Sequence, residues 1–206
     1  MDETTKLYRV RKTAFEMLRD RGFAIIETEY AKTFEQFKTD YEFGGKVDRQ
    51  RMNISAINEN NPEEKILVAF HDDDLKQSHI QTYTQMAEKD SMSNVIIVVG
   101  GACSSTVKKT IESTSDVDRQ IRWEIMFEDD LIINVTKHIL VPEHIKLTKE
   151  EGLELLKKYQ VKQTQLPRML VDDPISKYYG FRRGDIVKII RKSETAGRYV
   201  TYRAVF

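Results

Sequence analysis

Residues 163–206, QTQLPRMLVDDPISKYYGFRRGDIVKIIRKSETAGRYVTYRAVF, carry the densest structural punctuation in the chain. Asp173-Pro174 sets an acidic N-cap before a proline at the first helical position, and Gly180 supplies the left-handed residue that stops the short helix ISKYY. Gly184-Asp185 turns the chain into the β-branched run Ile186 to Arg191, and the loop KSETAG returns it as Arg198 to Phe206. Two such runs joined by a short glycine-containing loop read as a hairpin. The stretch offers no nucleophile, metal cage or phosphate loop.

Immediately upstream, Thr148 and Glu151 have capping-box spacing and open a helix through Tyr159, with Leu153, Leu156 and Tyr159 or Gln160 on one side. Pro142 interrupts regular structure, and residues 136–147 read as a linker. Charge changes sign there: residues 141–206 hold 14 Lys+Arg against 8 Asp+Glu, and residues 1–140 hold 19 against 25. The division is therefore 1–140 and 141–206, the second part a small α+β unit with an excess of cations. Such an excess suits either a solvated surface or an acidic protein or nucleic-acid partner.

The first part reads as α/β. Thr5 to Arg21 is an amphipathic helix with Leu7, Val10, Ala14, Phe15, Met17 and Leu18 inward, and Arg9, Arg11, Lys12 and Arg19 on the remainder. Phe23 to Ile26 is a short strand. Thr33 and Gln36 form a capping box ahead of the stripe Phe34, Phe37 and Tyr41. Met52, Ile54 and Ala56 alternate with polar residues as a strand, and ILVAF (66–70) is a buried one. Leu75 to Lys89 is a helix with Ile80, Tyr83, Met86 and Ala87 inward. Asn94 to Val99 is the most strand-like run and the expected centre of a mixed sheet. Gly100 to Thr106 leads from it into a helix at Val107 to Ser113, and Trp123, Ile125 and Phe127 mark a further strand.

Three features invite a chemical reading. His71-Asp72-Asp73-Asp74 with His79 has metal-ligand side chains, but three consecutive aspartates do not all point at one site, and an acidic strand end beside a helix N-terminus explains them more simply. Gly100 to Thr106 resembles a phosphate loop, yet lacks the GKS/T ending and the GxGxxG spacing of nucleotide folds. Its hydroxyls and amides at Ser104, Ser105 and Thr106, with Lys108 and Lys109, suit a nucleic-acid backbone instead. Cys103 is the single cysteine and has no base in a recognised pairing, which favours a small packed side chain over a nucleophile.

Composition narrows the classes further. With 40% hydrophobic and 32% charged residues and a mean hydropathy of −0.53, the chain builds a core without a spanning apolar run. MDETTKLYRVRK lacks a signal-peptide core, and a single cysteine fits a reducing compartment, cytosolic or nuclear.

The blocks LVPEHIKLTKEE (140–151), QLPR (165–168) and DPISKYYGFRRGDIVKIIRKSETAGRYVTYR (173–203) resemble the assembly domain of the fifth, shared subunit of eukaryotic nuclear RNA polymerases I, II and III, a family with an archaeal counterpart. RKTAFEMLRDRGF (11–23), VIIVVGGACSSTVKK (95–109) and EDDLIINVTKHILVPEH (128–144) resemble, more weakly, the jaw domain of the eukaryotic members. There the loop after the central strand has a Thr-Pro-Ser-type sequence. Here Ser104, Ser105 and Thr106 take its place without proline, so the loop departs from the pattern.

The resemblance implies a mixed-sheet α/β jaw domain (1–140) followed by a small α+β assembly domain (141–206). It implies a non-catalytic polymerase subunit in the nucleus, without cofactor, metal or small-molecule substrate. Its implied partners are the largest subunit and other subunits, together with weakly and non-specifically held downstream duplex DNA. Ser104, Ser105, Thr106, Lys108 and Lys109 are the expected DNA-proximal residues; Arg182, Arg183, Arg191, Lys192 and Arg198 are the expected docking cations. Two alternatives stand beside it. A metal-dependent nuclease would use Asp72, Asp73, Glu124 and Glu128. A free-standing nucleic-acid adaptor would use Tyr199/Arg203 and Tyr202/Arg198.

Overall fold

The computed structural model describes every residue except Asp73, 117–120 and 194–196, together with all side chains but those of 108, 112–116 and 193 in the remainder. The chain divides into two compact units, Met1–Ile133 and Asn134–Phe206.

The first unit begins with α1 (Glu3–Asp20), whose Leu7, Val10, Ala14, Met17 and Leu18 are fully buried. Burying each such large aliphatic side chain is worth about 1.5–3 kcal/mol. Gly22, at φ 86°, ends the helix as a left-handed residue and hands the chain to β1 (Phe23–Ala24). The expected strand stops there, because Glu27–Tyr30 closes a single helical turn, α2. Next comes α3 (Phe34–Tyr41), capped by Thr33 and Gln36 with both reciprocal bonds in place. The hairpin β2 (Glu42–Phe43) and β3 (Lys46–Val47) follows. Its turn residues Gly44 and Gly45 both have positive φ, as a two-residue hairpin turn requires.

The main sheet comes next: β4 (Ile54–Asn58), β5 (Lys65–His71), α4 (Gln77–Lys89), β6 (Asn94–Val99), α5 (Ser105–Asp116), β7 (Arg122–Phe127) and the single turn α6 (Glu128–Leu131). Its order is β1-β4-β5-β6-β7. β6 runs parallel to both neighbours, while β4 is antiparallel to β5 and to β1. Every residue of β6 is buried, as a parallel strand covered on both faces demands. On one face Leu67, Val95, Ile97, Val99 and Trp123 pack with Ile80 and Ala87 of α4 and Val107 and Ile111 of α5. The alternate residues Ile66, Val68, Phe70, Ile96 and Val98 are buried on the other face. Met86 departs from expectation and is 45% exposed.

The second unit holds a sheet of order β8-β10-β11-β9, built from β8 (Glu143–Lys146), β9 (Arg168–Met169), β10 (Ile186–Ser193) and β11 (Gly197–Val205), with α7 (Lys149–Tyr159) and α8 (Pro174–Tyr179). β10 and β11 form the expected hairpin, from Ile186 opposite Ala204 to Ser193 opposite Gly197. The linker reading of 136–147 is corrected: residues 143–146 add an edge strand to β10, and Asn134 already bonds Tyr178 Oη at 2.9 Å inside this unit. Asp173, Pro174 and Gly180 punctuate α8 as read, with Asp173 accepting from the Ile175 amide and Gly180 at φ 65°. The Thr148–Glu151 box is formed. The inward face of α7 is another correction, since Gly152 and Leu155 are buried while Leu153 and Tyr159 are exposed. A Cβ on Gly152 would stand 3.3 Å from Ile186 Cδ1, so the small residue sets how closely α7 approaches the sheet.

Candidate nucleic-acid interface and docking surface

Because β5, β6 and β7 are parallel, their C-terminal ends meet in one row, His71 beside Val99 beside Phe127. The next residues of the three strands, Asp72, Gly100 and Glu128, form the floor of the 100–106 loop. A Cβ on Gly100 would lie 2.8 Å from Glu128 Oε1 and 2.9 Å from the Asp72 carbonyl oxygen, so no side chain fits there. Arg49, on the 3-10 turn Arg49–Met52, binds the floor from below: its guanidinium donates to Glu128 Oε1 at 3.1 Å, pairs with Glu3 at 3.1 Å and also holds Asp72. Lys6 pairs with Glu128 at 3.1 Å and Asp129 at 2.8 Å, and its ammonium is held above the ordinary lysine range by Asp129 foremost, against the opposing effect of burial.

The loop itself is fixed from both ends. Asp74 accepts from the Ala102 amide at 2.8 Å, and Leu75 and Cys103 form a β-bridge. Ser104 Oγ accepts from the Val107 amide at 3.3 Å, so Ser104 caps α5 through a lone pair while its O–H remains a donor. Ser105, Thr106 and Lys109 are exposed beside it; the side chain of Lys108 lies outside the described residues. Of the five DNA-proximal residues, three thus share the exposed N-terminal turn of α5 and one serves as its cap. The half-buried Cys103 packs at the rim of the sheet core.

The nuclease carboxylates do not converge. Asp72 and Glu128 are joined through Arg49, whereas Glu124 pairs with Arg21 at 2.9 Å and Arg122 at 3.1 Å from within β7. Asp73 lies outside the described residues. The basic face read on α1 also shrinks. Arg11 is only 5% exposed, donates to Glu29 at 2.9 Å and to the Met52 carbonyl at 3.3 Å, and its guanidinium stands over the Phe15 and Tyr41 rings. Arg19 pairs with Glu27 at 2.9 Å. Burial would raise the Glu29 carboxyl, but bonds from Lys32, Tyr41 and Arg11 overcome it and hold it at about 2.

In the second unit all five expected docking cations are exposed or half-buried, but they do not make one patch. Arg182 and Arg183 follow α8 in a turn closed by Asp185, which accepts from the Arg182 amide at 2.7 Å. Arg191, Lys192 and Arg198 lie at the far end of the hairpin, about 20–25 Å along a strand of that length. Strand alternation then separates Arg191 from the other two, because Lys192 stands directly opposite Arg198 while Arg191 faces Tyr199. Lys188 also lies on this hairpin and escaped sequence reading, its place in the period-two alternation being the available signal. Arg203, read beside Tyr199 for a nucleic-acid adaptor, is exposed on the same face as Arg191. The connecting residues of the SETAG loop, 194–196, lie outside the described residues. His144 of β8 donates from Nδ1 to the Pro142 carbonyl at 2.7 Å, and burial, aided by Arg203 and Arg191, keeps its imidazole below the ordinary histidine range.

With this geometry in hand, two family descriptions match the chain: RNA polymerase Rpb5, N-terminal domain, over residues 1–87, and RNA polymerase Rpb5, C-terminal domain, over residues 133–205. The DNA-directed RNA polymerases I, II, and III subunit RPABC1 of Caenorhabditis elegans is 38% identical over 207 residues, covering 98% of this chain and 97% of that protein. Its namesake in Dictyostelium discoideum is 37% identical over 204 residues, covering 98% of each chain. The DNA-directed RNA polymerase subunit 5-like protein 1 of Arabidopsis thaliana is 34% identical over 206 residues, covering 98% of this chain and 96% of that protein. The chain belongs to the Rpb5 family.

Proposed function

We propose that this Rpb5-family chain is the non-catalytic subunit common to nuclear DNA-directed RNA polymerases I, II and III. The observation that carries the reading is end-to-end similarity to relatives of that name, 38% over 98% of the chain. The second unit docks on the largest subunit, and the first acts as a jaw beside downstream duplex DNA. Support for docking comes from the exposed Arg182 and Arg183 and from the cations of β10 and β11, two strands that carry no aspartate or glutamate of their own. Support for the jaw comes from a buttressed loop that presents Ser105, Thr106 and Lys109 at the N-terminal turn of α5, with Lys108 next to them in sequence.

Such groups meet phosphates without reading base edges, so the contact positions a duplex and carries no sequence information. Ser104 contributes by capping the helix that presents the others. The carboxylates below the loop are held by Arg49 and Lys6, which limits repulsion of a phosphate backbone. Tagged protein purified from its own cells and analysed by mass spectrometry tests the assignment. Subunits of all three polymerases are expected in the eluate, and their absence overturns it. Within the purified polymerase, Lys108→Ala with Lys109→Ala is expected to reduce DNA retention and flatten its salt dependence; an unchanged salt slope removes this loop from the DNA path.

A further inference from the structure

Strands β10 and β11 carry Lys188, Arg191, Lys192, Arg198 and Arg203, and neither strand contains an aspartate or a glutamate. Ion pairs of this unit lie off these two strands, among them Lys146–Asp185 and Lys177–Asp172. Like charges directly opposite on paired strands destabilise a sheet, and Lys192 directly opposite Arg198 is such a pair. The fold gains nothing from that arrangement.

The two faces of the ribbon differ. One carries Val187, Ile189 and Val205 against Ile175 and Phe181, and is closed by α8. The other carries Ile186 and Ala204, buried at the end that Gly152 of α7 approaches. Toward the tip that second face opens: Ile190 and Val200 are only half-buried, and Ile145 of β8, paired with Lys188, is 38% exposed. Lys188, Lys192 and Arg198 border this apolar strip, three cations against one carboxylate, Glu143 of β8 opposite Ile190.

Resting on the docking reading above, we propose that this open face binds an acidic, amphipathic segment of a partner polypeptide. Its apolar side chains lie against Ile145, Ile190 and Val200, and its carboxylates meet Lys188, Lys192 and Arg198. A nucleic-acid strand fits the face less well. Aliphatic residues give it no stacking platform, and the Tyr202 ring already lies 6.2 Å from that of Tyr159.

The test uses the full chain, tagged and purified with its companions, with photo-reactive benzoylphenylalanine in place of Val200. Irradiation is expected to join it to a polypeptide fragment that mixes Asp or Glu with apolar residues. Lys188→Glu, Lys192→Glu and Arg198→Glu together are expected to lower companion recovery on the order of tenfold, whereas Arg191→Glu with Arg203→Glu on the other face changes it less than about twofold. If the triple variant does not fold, Arg198→Glu alone, which places unlike charges opposite each other, serves with an expected loss of about threefold. A cross-link to nucleic acid, or to a fragment without acidic residues, overturns the proposed partner. Equal losses from the two faces, or normal recovery with no cross-link, overturn the face but leave docking intact. If even the unaltered chain recovers no polymerase subunits, it is the docking reading that fails.

Discussion

Arg49 and Arg198 both sit beside sheets, yet one is built into its unit and the other is left outside. Arg49 is 9% exposed and touches Glu3, Asp72 and Glu128, tying α1, the end of β5 and the end of β7 together. Arg198 is exposed and faces Lys192. The contrast extends across the two units. In the first, Arg11, Arg21 and Lys32 also have carboxylates within 2.9 Å, so charge is part of the folding chemistry. In the second, the hairpin's cohesion comes from backbone pairing and the cluster around Val187, Ile189 and Phe181, and its charge is available to something else. Whether a charge is internal to the fold can therefore be tested by removing it.

The largest effect is expected at Arg49. Arg49→Met leaves the buried Glu128 with Lys6 as its remaining cation and strips Asp72 of its guanidinium. Breaking a buried ion network from one side costs about 3–5 kcal/mol. The single tryptophan, Trp123, lies in β7, so its fluorescence during urea denaturation reports on this unit. A loss below about 1 kcal/mol would show that the cluster is ornamental to stability, and the contrast would collapse.

Acid sharpens the comparison. Glu29 titrates at about 2 in the folded chain instead of 4.5. A depressed folded pKa gives stability that is complete above about 4.5 and lost as pH falls toward 2. Glu29→Gln should cost roughly 2 kcal/mol at neutral pH, with the difference from the parent chain shrinking through that window. A constant difference between pH 7 and pH 3 would remove the assignment. In the second unit the relevant group is His144, held below 6.5 chiefly by burial. Its sign is the same but its window is higher: stability is complete above the ordinary value and declines as pH falls through 6.5 toward the lower folded pKa. His144→Gln should abolish that slope in NMR-monitored melting of second-unit resonances. A slope that persists in the variant assigns the titration to another group.

Legibility followed the range of the physical signal. The caps at Thr33, Thr148 and Asp173 are local hydrogen-bond arrangements spanning three or four residues, and each formed as read. The continuous apolar run 94–99 declared a strand covered on both faces. Glu143-His144-Ile145-Lys146 gave no comparable sign, because an edge strand this polar exists through its pairing with β10. Arg11 was misplaced for a related reason: its helical position is polar, but Glu29 and two aromatic rings reach over it from the surrounding structure. On α7, Leu153 and Leu155 are equally apolar, and the choice between them is made by the close approach of Gly152 to Ile186. At the candidate site, the loop and its hydroxyls were legible from strand-then-glycine order, whereas the Arg49 clamp joins residues 3, 49, 72 and 128 and has no local trace.

The smallest expected stability effect decides the most. Arg198→Glu reverses an exposed charge, and surface changes of that kind usually stay within about 0.5 kcal/mol. Here the sign is informative as well. The parent residue stands opposite Lys192 in register, so the variant replaces a like pair with an unlike one, worth a few tenths of a kcal/mol in favour of the hairpin. Salt sets the size of that gain, because exposed pairs are screened over about 10 Å at 0.1 M ionic strength. The gain should be greatest at low salt and fade at high salt, in thermal melts of the full chain followed by second-unit NMR resonances. Recovery of companion proteins should move in the opposite direction and also most strongly at low salt. Stability rising while association falls is what a charge kept for a partner produces, since a charge kept for the fold would lower both. If Arg198→Glu melts well below the parent chain, the hairpin cations belong to the fold after all, and the two units handle charge alike.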